Sequence, residues 1–279
     1  MTCYLCGKLG FSPREGVVRD NPELEIRECS SCSLVYLSTN GHIREGHYEA
    51  SGMHGELPPS MEVWLKDAEA DDKRRFQMLL PSLVNKSLLD FGCGAGGFMN
   101  LAKTVASEVT GVELEERVTK HWGSHMKIHT GLDQVDEKFD IVTAFHVVEH
   151  LTDPIEVLRQ LGHCMSRGGR MVIEVPSAND VLLTLYKCAD FQRFTYWSQH
   201  LFLFNTRTLQ LLVQQAGLKL LAIQQVQRYP LSNHLYWLSR GEPSGHKFWS
   251  FLNSTELHAA YTASLSALGM CDTLVAHIG

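Results

Sequence analysis

Two Cys-x-x-Cys pairs, Cys3 with Cys6 and Cys29 with Cys32, stand near the head of the chain with twenty-two residues between them. Four thiolates at this spacing suit one tetrahedral ion, and a fully protein-ligated ion has no open position at which to activate water, so the expected metal is a structural zinc. Further on, residues 88–97 read Leu-Leu-Asp-Phe-Gly-Cys-Gly-Ala-Gly-Gly. Gly92, Gly94 and Gly96 let a backbone turn sharply and approach a ligand with no Cβ in the way. Gly92, Gly94 and Gly97 also satisfy Gly-x-Gly-x-x-Gly, which alone would fit a dinucleotide. Asp90 decides between ligands: a carboxylate two positions before the first glycine repels a pyrophosphate, but it attracts the ammonium and sulfonium charges of S-adenosylmethionine. Nineteen residues beyond Gly94, Glu113 ends the next predicted strand, where an acid accepts hydrogen bonds from both ribose hydroxyls. Leu132, just after the third predicted strand, would flank the adenine.

Methyl transfer from a sulfonium is an in-line displacement. The acceptor lone pair must be aligned with the S–CH3 bond, and a proton must leave when the acceptor is a hydroxyl or an acidic C–H. A histidine with a near-neutral pKa suits that task. His200, in the run Ser-Gln-His-Leu-Phe-Leu-Phe at 198–204, is the first candidate, against the alternative of a packing histidine in the aromatic stretch 191–204. His146, Glu149 and His150 follow the fourth predicted strand at the sheet edge where ligands bind. Of these, His146 is expected to face donor and acceptor, while Glu149 and His150 equally suit pinning the loop before Pro154. Tyr48, near His47 and His54, is a candidate lid over the acceptor.

Positioning these groups calls for a parallel sheet. From residue 87 onward strand-like and helix-like segments alternate, which predicts an α/β, doubly wound, Rossmann-like seven-stranded sheet behind a small N-terminal zinc ribbon. Strands are expected at 87–91, 108–113, 127–129, 139–145, 170–175, 219–225 and 273–278, and helices at 97–105, 115–122, 154–164 and 206–215. A further helix should run over 61–80 and stop at Pro81. The expected organisation is a ribbon at 1–40, a linker or lid at 41–66 and a donor-binding domain at 67–279. An insertion at about 228–271, too long for a hairpin, would form a cap or a homodimer contact.

Composition narrows the partners. The net charge is -6, and residues 1–40 hold Lys8, Arg14, Arg19 and Arg27 against Asp20 and four glutamates, so the ribbon carries no basic footprint for nucleic acid. Lys73, Arg74 and Arg75 follow Asp67, Glu69, Asp71 and Asp72 on one predicted helix, the pairing pattern of a solvated face. No membrane-spanning run and no signal-peptide layout is present, so a cytoplasmic location is expected.

The middle of the chain resembles the class I S-adenosylmethionine-dependent methyltransferases. Residues 88–96 are similar to their first motif, the run ending at Glu113 to their second, 139–154 to the segment over their fourth strand and 168–176 to their fifth-strand motif. A narrower similarity is to zinc-containing methyltransferases of nucleotide-linked deoxysugars, which carry a four-cysteine ribbon and a Glu-His-Leu-x-x-Phe segment at the substrate. Here His200 is retained and the acid is replaced by Gln199, and the long carboxy-terminal domain of the C-methylating members is missing. The resemblance implies a methyltransferase acting on a small-molecule acceptor, a sugar or nucleotide-linked sugar, with a hydroxyl or amine favoured over carbon. The rivals are a ribosomal or transfer RNA methyltransferase and a protein that binds the donor without turnover; the missing Asn/Asp-Pro-Pro-Tyr after the fourth strand counts against the first.

Overall fold

A computed structural model of the chain describes residues 2–43, 46–48, 54 and 57–279; the rest of the expected lid segment lies outside the described residues. In chain order the strands are β1 (Phe11–Pro13), β2 (Ile26–Cys29), β3 (Val35–Leu37), β4 (Ser87–Phe91), β5 (Glu108–Val112), β6 (Lys127–His129), β7 (Phe139–Phe145), β8 (Met165–Pro176), β9 (Phe202–Leu203), β10 (Leu220–Val226) and β11 (Thr273–Ile278). The α-helices are α1 (Met61–Leu83), α2 (Gly97–Ala102), α3 (Glu116–Trp122), α4 (Pro154–Cys164), α5 (Ala189–Thr195), α6 (Thr206–Gln215), α7 (Leu231–Arg240), α8 (Gly245–Phe248) and α9 (Thr255–Leu268). The seven-stranded sheet that the alternating pattern predicts is present, and its strands run in the order β10-β11-β8-β7-β4-β5-β6. Strand β11 is internal, in keeping with its buried Leu274, Val275, Ala276 and Ile278, whereas β10 takes the edge with Leu221 exposed. Among the described residues, no helix is long and apolar enough to cross a membrane.

The chain forms two compact units, one of Met1–Asn40, Glu149–Ile155 and Glu174–Ala276, the other of Gly41–Val148, Glu156–Ile173 and His277–Gly279. In the second unit β4 runs parallel to both β5 and β7, and β5 parallel to β6. Leu88, Leu89, Val142 and Ala144 are fully buried on these strands, the continuous apolar run required when both faces of a parallel sheet are covered. Phe98 of α2 meets Phe145 edge to face at 5.1 Å, and α1 packs against α2. Helix α1 is capped by Ser60, whose hydroxyl accepts from Val63 N, and continues through Pro81 to Leu83. The expected stop at Pro81 fails because so little helix follows that the missing amide forfeits only a terminal hydrogen bond.

In the first unit β1, β2, β3 and β9 make a separate antiparallel sheet. Its fourth strand comes from far along the chain, with Tyr36 opposite Phe202 and Val35 opposite Leu203. Polar ties surround this pairing. Asp20 accepts from Ser198 N at 2.9 Å and from Ser198 Oγ at 2.7 Å. Arg14 donates to Tyr196 Oη at 2.9 Å, to Glu28 at 3.1 Å and to the Ala178 carbonyl at 2.5 Å. Arg19 lies 4.6 Å from the Trp197 ring centroid, and Tyr4 donates to Asp153 at 2.5 Å while accepting from Ile155 N at 2.9 Å. The four-cysteine module therefore holds two remote segments, 149–155 and 194–204, in place. The stretch between β10 and β11 is largely helical, carrying α7, α8 and α9. Asp272 ties it to β11 by accepting from Arg228 N, Tyr229 N and Gln227 Nε2.

Candidate functional site

At the carboxyl end of β4, Asp90 is 2% exposed and accepts from Thr143 Oγ1 at 2.6 Å. Burial pushes its carboxyl up to about 7, against the downward pull of the Thr143 hydroxyl and the Arg75 charge. A buried acid so poised is stabilised in its charged form by an arriving cation. The chain then turns through Gly92 at φ 67° and Gly96 at φ 81°, both left-handed. A Cβ on Gly92 would collide with Val147, so the turn after β4 is pressed against the residue that follows His146. Gly92→Ala should therefore combine a left-handed alanine with overpacking and cost about 1–3 kcal/mol. Thermal unfolding should show a midpoint several degrees lower, and an unchanged midpoint would mean that the turn is not under this constraint.

Glu113, one residue beyond β5, grips the same turn. Its Oε2 accepts from Gly94 N at 2.9 Å and its Oε1 from Glu115 N at 3.1 Å. Burial raises its carboxyl above the ordinary range, and these amides pull it back. Leu132 opens a short 3-10 turn (Leu132–Gln134) after β6 and is half-buried. His146 follows β7 in the left-handed region at φ 54°, a conformation that costs energy in a non-glycine residue and is held here by its surroundings. Tyr48 is half-buried in a turn, its ring edge-on to His47 at 5.0 Å.

Several groups around the turn escape sequence reasoning. The Trp64 ring lies 3.4 Å from the position of a Cβ on Gly94, and the Arg117 guanidinium is 4.9 Å from that ring's centroid. Arg117 also donates to the Pro59 carbonyl and pairs with Glu115, and Glu115 lies 3.3 Å from His54 Nε2. The face read as solvated is divided. Lys73 and Arg74 pair with Glu69 and Asp71 as expected. Arg75 instead turns inward, 3.6 Å from buried Asp72 and 4.8 Å from the Phe145 ring centroid. A helical-face count that put Arg75 beside Leu79 would have found it, since Leu79 is 3% exposed.

His200 belongs to a second cluster, in the other unit. Its Nδ1 lies 3.2 Å from the Thr195 carbonyl, and the Nδ1 of His150 lies 2.8 Å from the Gln199 carbonyl. A carbonyl can only accept, so each Nδ1 carries the proton and Nε2 has the lone pair in the neutral ring. The two rings are 5.1 Å apart, Trp197 stands edge-on to both, and wholly buried Glu149 has Oε1 3.9 Å from His150 Nε2. His150 thus ties the segment after β7 to the backbone carbonyl of Gln199.

The cysteines form a third cluster. Cys3 and Cys32 sulfurs are 3.7 Å apart and those of Cys6 and Cys29 are 3.6 Å apart. Tetrahedral zinc with bonds of about 2.3 Å sets sulfurs at about 3.8 Å, so the four thiols fit that ion.

Residues 65–223 match the family described as "Methyltransferase domain". The chain is similar to the tRNA U34 carboxymethyltransferase of Pseudoalteromonas atlantica, 28% identical over 63% of this chain and 55% of that protein. It is also similar to the ubiquinone biosynthesis O-methyltransferase of Idiomarina loihiensis, 28% identical over 35% of this chain and 45% of that one. The chain spans about half the length of these curated relatives. Among solved structures, a SAM-dependent methyltransferase from Archaeoglobus fulgidus shares the fold, with a TM-score of 0.51 and 19% identity over 82% of this chain and 98% of that one.

Proposed function

The chain belongs to the methyltransferase-domain family, and we propose that it transfers a methyl group from S-adenosylmethionine to a small polar acceptor, with the four-cysteine cluster and the retained His200 supporting a sugar or nucleotide-linked sugar. One observation carries the donor assignment: a buried acid raised to about 7 ends β4 beside a left-handed glycine turn whose Gly94 amide is held by Glu113. Bound S-adenosylmethionine would supply an electrophilic methyl group. Asp90 would hold its ammonium, Gly92, Gly94 and Gly96 would pass close to it, Glu113 would accept from its ribose, and Leu132 would flank its adenine. His146 would face donor and acceptor, and Tyr48 would cover the acceptor. As the methyl group is transferred, Nε2 of His200 would take the proton that the acceptor hydroxyl or amine gives up. Zinc on Cys3, Cys6, Cys29 and Cys32 would hold the ribbon that anchors the His200 segment, and the reaction makes no use of it.

An RNA acceptor is the second reading, favoured by similarity to a tRNA-modifying protein and opposed by the net charge of -6. Calorimetry tests the donor: S-adenosylhomocysteine should bind with measurable heat and a nicotinamide dinucleotide should not. Methyl transfer to nucleotide-linked deoxysugars should exceed transfer to bulk tRNA. The reverse ranking, with RNA binding that weakens steeply with salt, would move the assignment to RNA.

A further inference from the structure

We propose that Glu149, His150 and His200 form a binding site for a divalent first-row transition ion, distinct from the four-cysteine site. The inference rests on the methyltransferase reading for its role and on geometry for its existence. One ligand atom from each of the three side chains lies within 4.8 Å of the other two. An ion with bonds of about 2.0–2.2 Å brings its donors to about 3–4 Å of one another, so sub-ångström side-chain movement closes the set. The separation of 3.9 Å between Glu149 Oε1 and His150 Nε2 already lies in that range.

A second observation is the anchoring of both imidazoles. Each Nδ1 is committed to a backbone carbonyl, Thr195 for His200 and Gln199 for His150, an arrangement that fixes the tautomer and makes Nε2 the coordinating atom. The carbonyls belong to the segment that the ribbon anchors through Asp20 and β9, so the ligand atoms sit on a braced frame. Two imidazole nitrogens and one carboxylate oxygen are borderline donors that suit zinc, cobalt or manganese over calcium, and three protein ligands leave positions open. An acceptor hydroxyl entering one of them would be acidified, its proton leaving to water. The ion would then replace the imidazole as the group that makes the oxygen nucleophilic.

Cobalt(II) is the probe, added to the whole 279-residue chain with its ribbon already loaded with zinc. Wild type should retain one further equivalent with weak visible bands and no sulfur-to-cobalt charge-transfer absorption. Glu149→Gln and His200→Ala should each weaken that binding at least tenfold while the zinc content stays at one. Wild type retaining no cobalt beyond the ribbon, or both variants retaining it at wild-type affinity, would overturn the site whatever the variants' stability. S-adenosylhomocysteine calorimetry on the same samples reports the donor site separately: cobalt retained without that heat would refute the proposed function and support the ion site, and heat without cobalt would do the opposite.

Discussion

Replacing Asp90 with alanine is expected to weaken S-adenosylmethionine binding by about 2–4 kcal/mol, roughly 30- to 1000-fold, the cost of removing one partner from a desolvated charge pair. Asp90→Asn should separate charge from shape, because the amide keeps the volume and can still accept from Thr143. In the wild type, burial lifts the Asp90 carboxyl from 3.8 to about 7, so the donor-free protein holds it largely protonated under mildly acidic conditions. A cation selects the ionised form, so donor affinity should rise with pH up to about 7. It should flatten as the donor's α-amino group approaches its ordinary pKa of about 7.7–8.0. Below pH 7 binding should release protons, read from calorimetry in two buffers of different ionisation enthalpy. The sign for folding is opposite. A carboxyl raised on folding contributes stability that is complete below about pH 4 and is lost as pH rises through about 7, so donor-induced thermal stabilisation should grow across that window. Identical pH profiles for wild type and Asp90→Asn would remove Asp90 from the donor site.

The position of Asp90 near the end of β4 was legible because its evidence is local. The strand, the turn and the acid are contiguous in sequence, and Glu113 follows at the end of the next strand, so strand–turn–helix spacing alone places them at one sheet edge. The same holds for the cysteine pairs and for α4 and α6, whose expected spans agree with the observed Pro154–Cys164 and Thr206–Gln215. What escaped reading depends on contacts between distant positions. Phe202 and Leu203 look like part of an aromatic run, and nothing in two residues announces that they extend a sheet begun at Phe11. The convergence of Glu149 and His150 with His200 follows from that pairing and is equally invisible without it. Arg75 was misread for a different reason. Its neighbours Lys73 and Arg74 do pair with acids along α1, and a charge run does not reveal which member faces inward toward Asp72 and Phe145.

His200→Ala should leave the affinity for S-adenosylhomocysteine within about twofold of wild type and lower turnover by about 100- to 10,000-fold, the range expected for loss of a positioned proton acceptor. The split follows from placement, since the donor is assigned to Asp90, the glycine turn and Glu113 on β4 and β5, and His200 lies on the segment held by β3 and Asp20. A collapse of that segment would mimic lost chemistry, so zinc content and the unfolding midpoint are measured on the same sample and should stay near wild type. His150→Ala and Glu149→Gln should fall in the same direction. The double variant His150→Ala/His200→Ala should lose little more than the worse single change, because side chains that act as one unit are strongly non-additive. Added cobalt should raise wild-type turnover and leave His200→Ala unmoved if the three side chains work through an ion. If His200 acts alone as the base, its loss should be additive with that of His150. Turnover unchanged in His200→Ala would take the whole cluster out of methyl transfer and leave His146 to supply the acceptor-side chemistry.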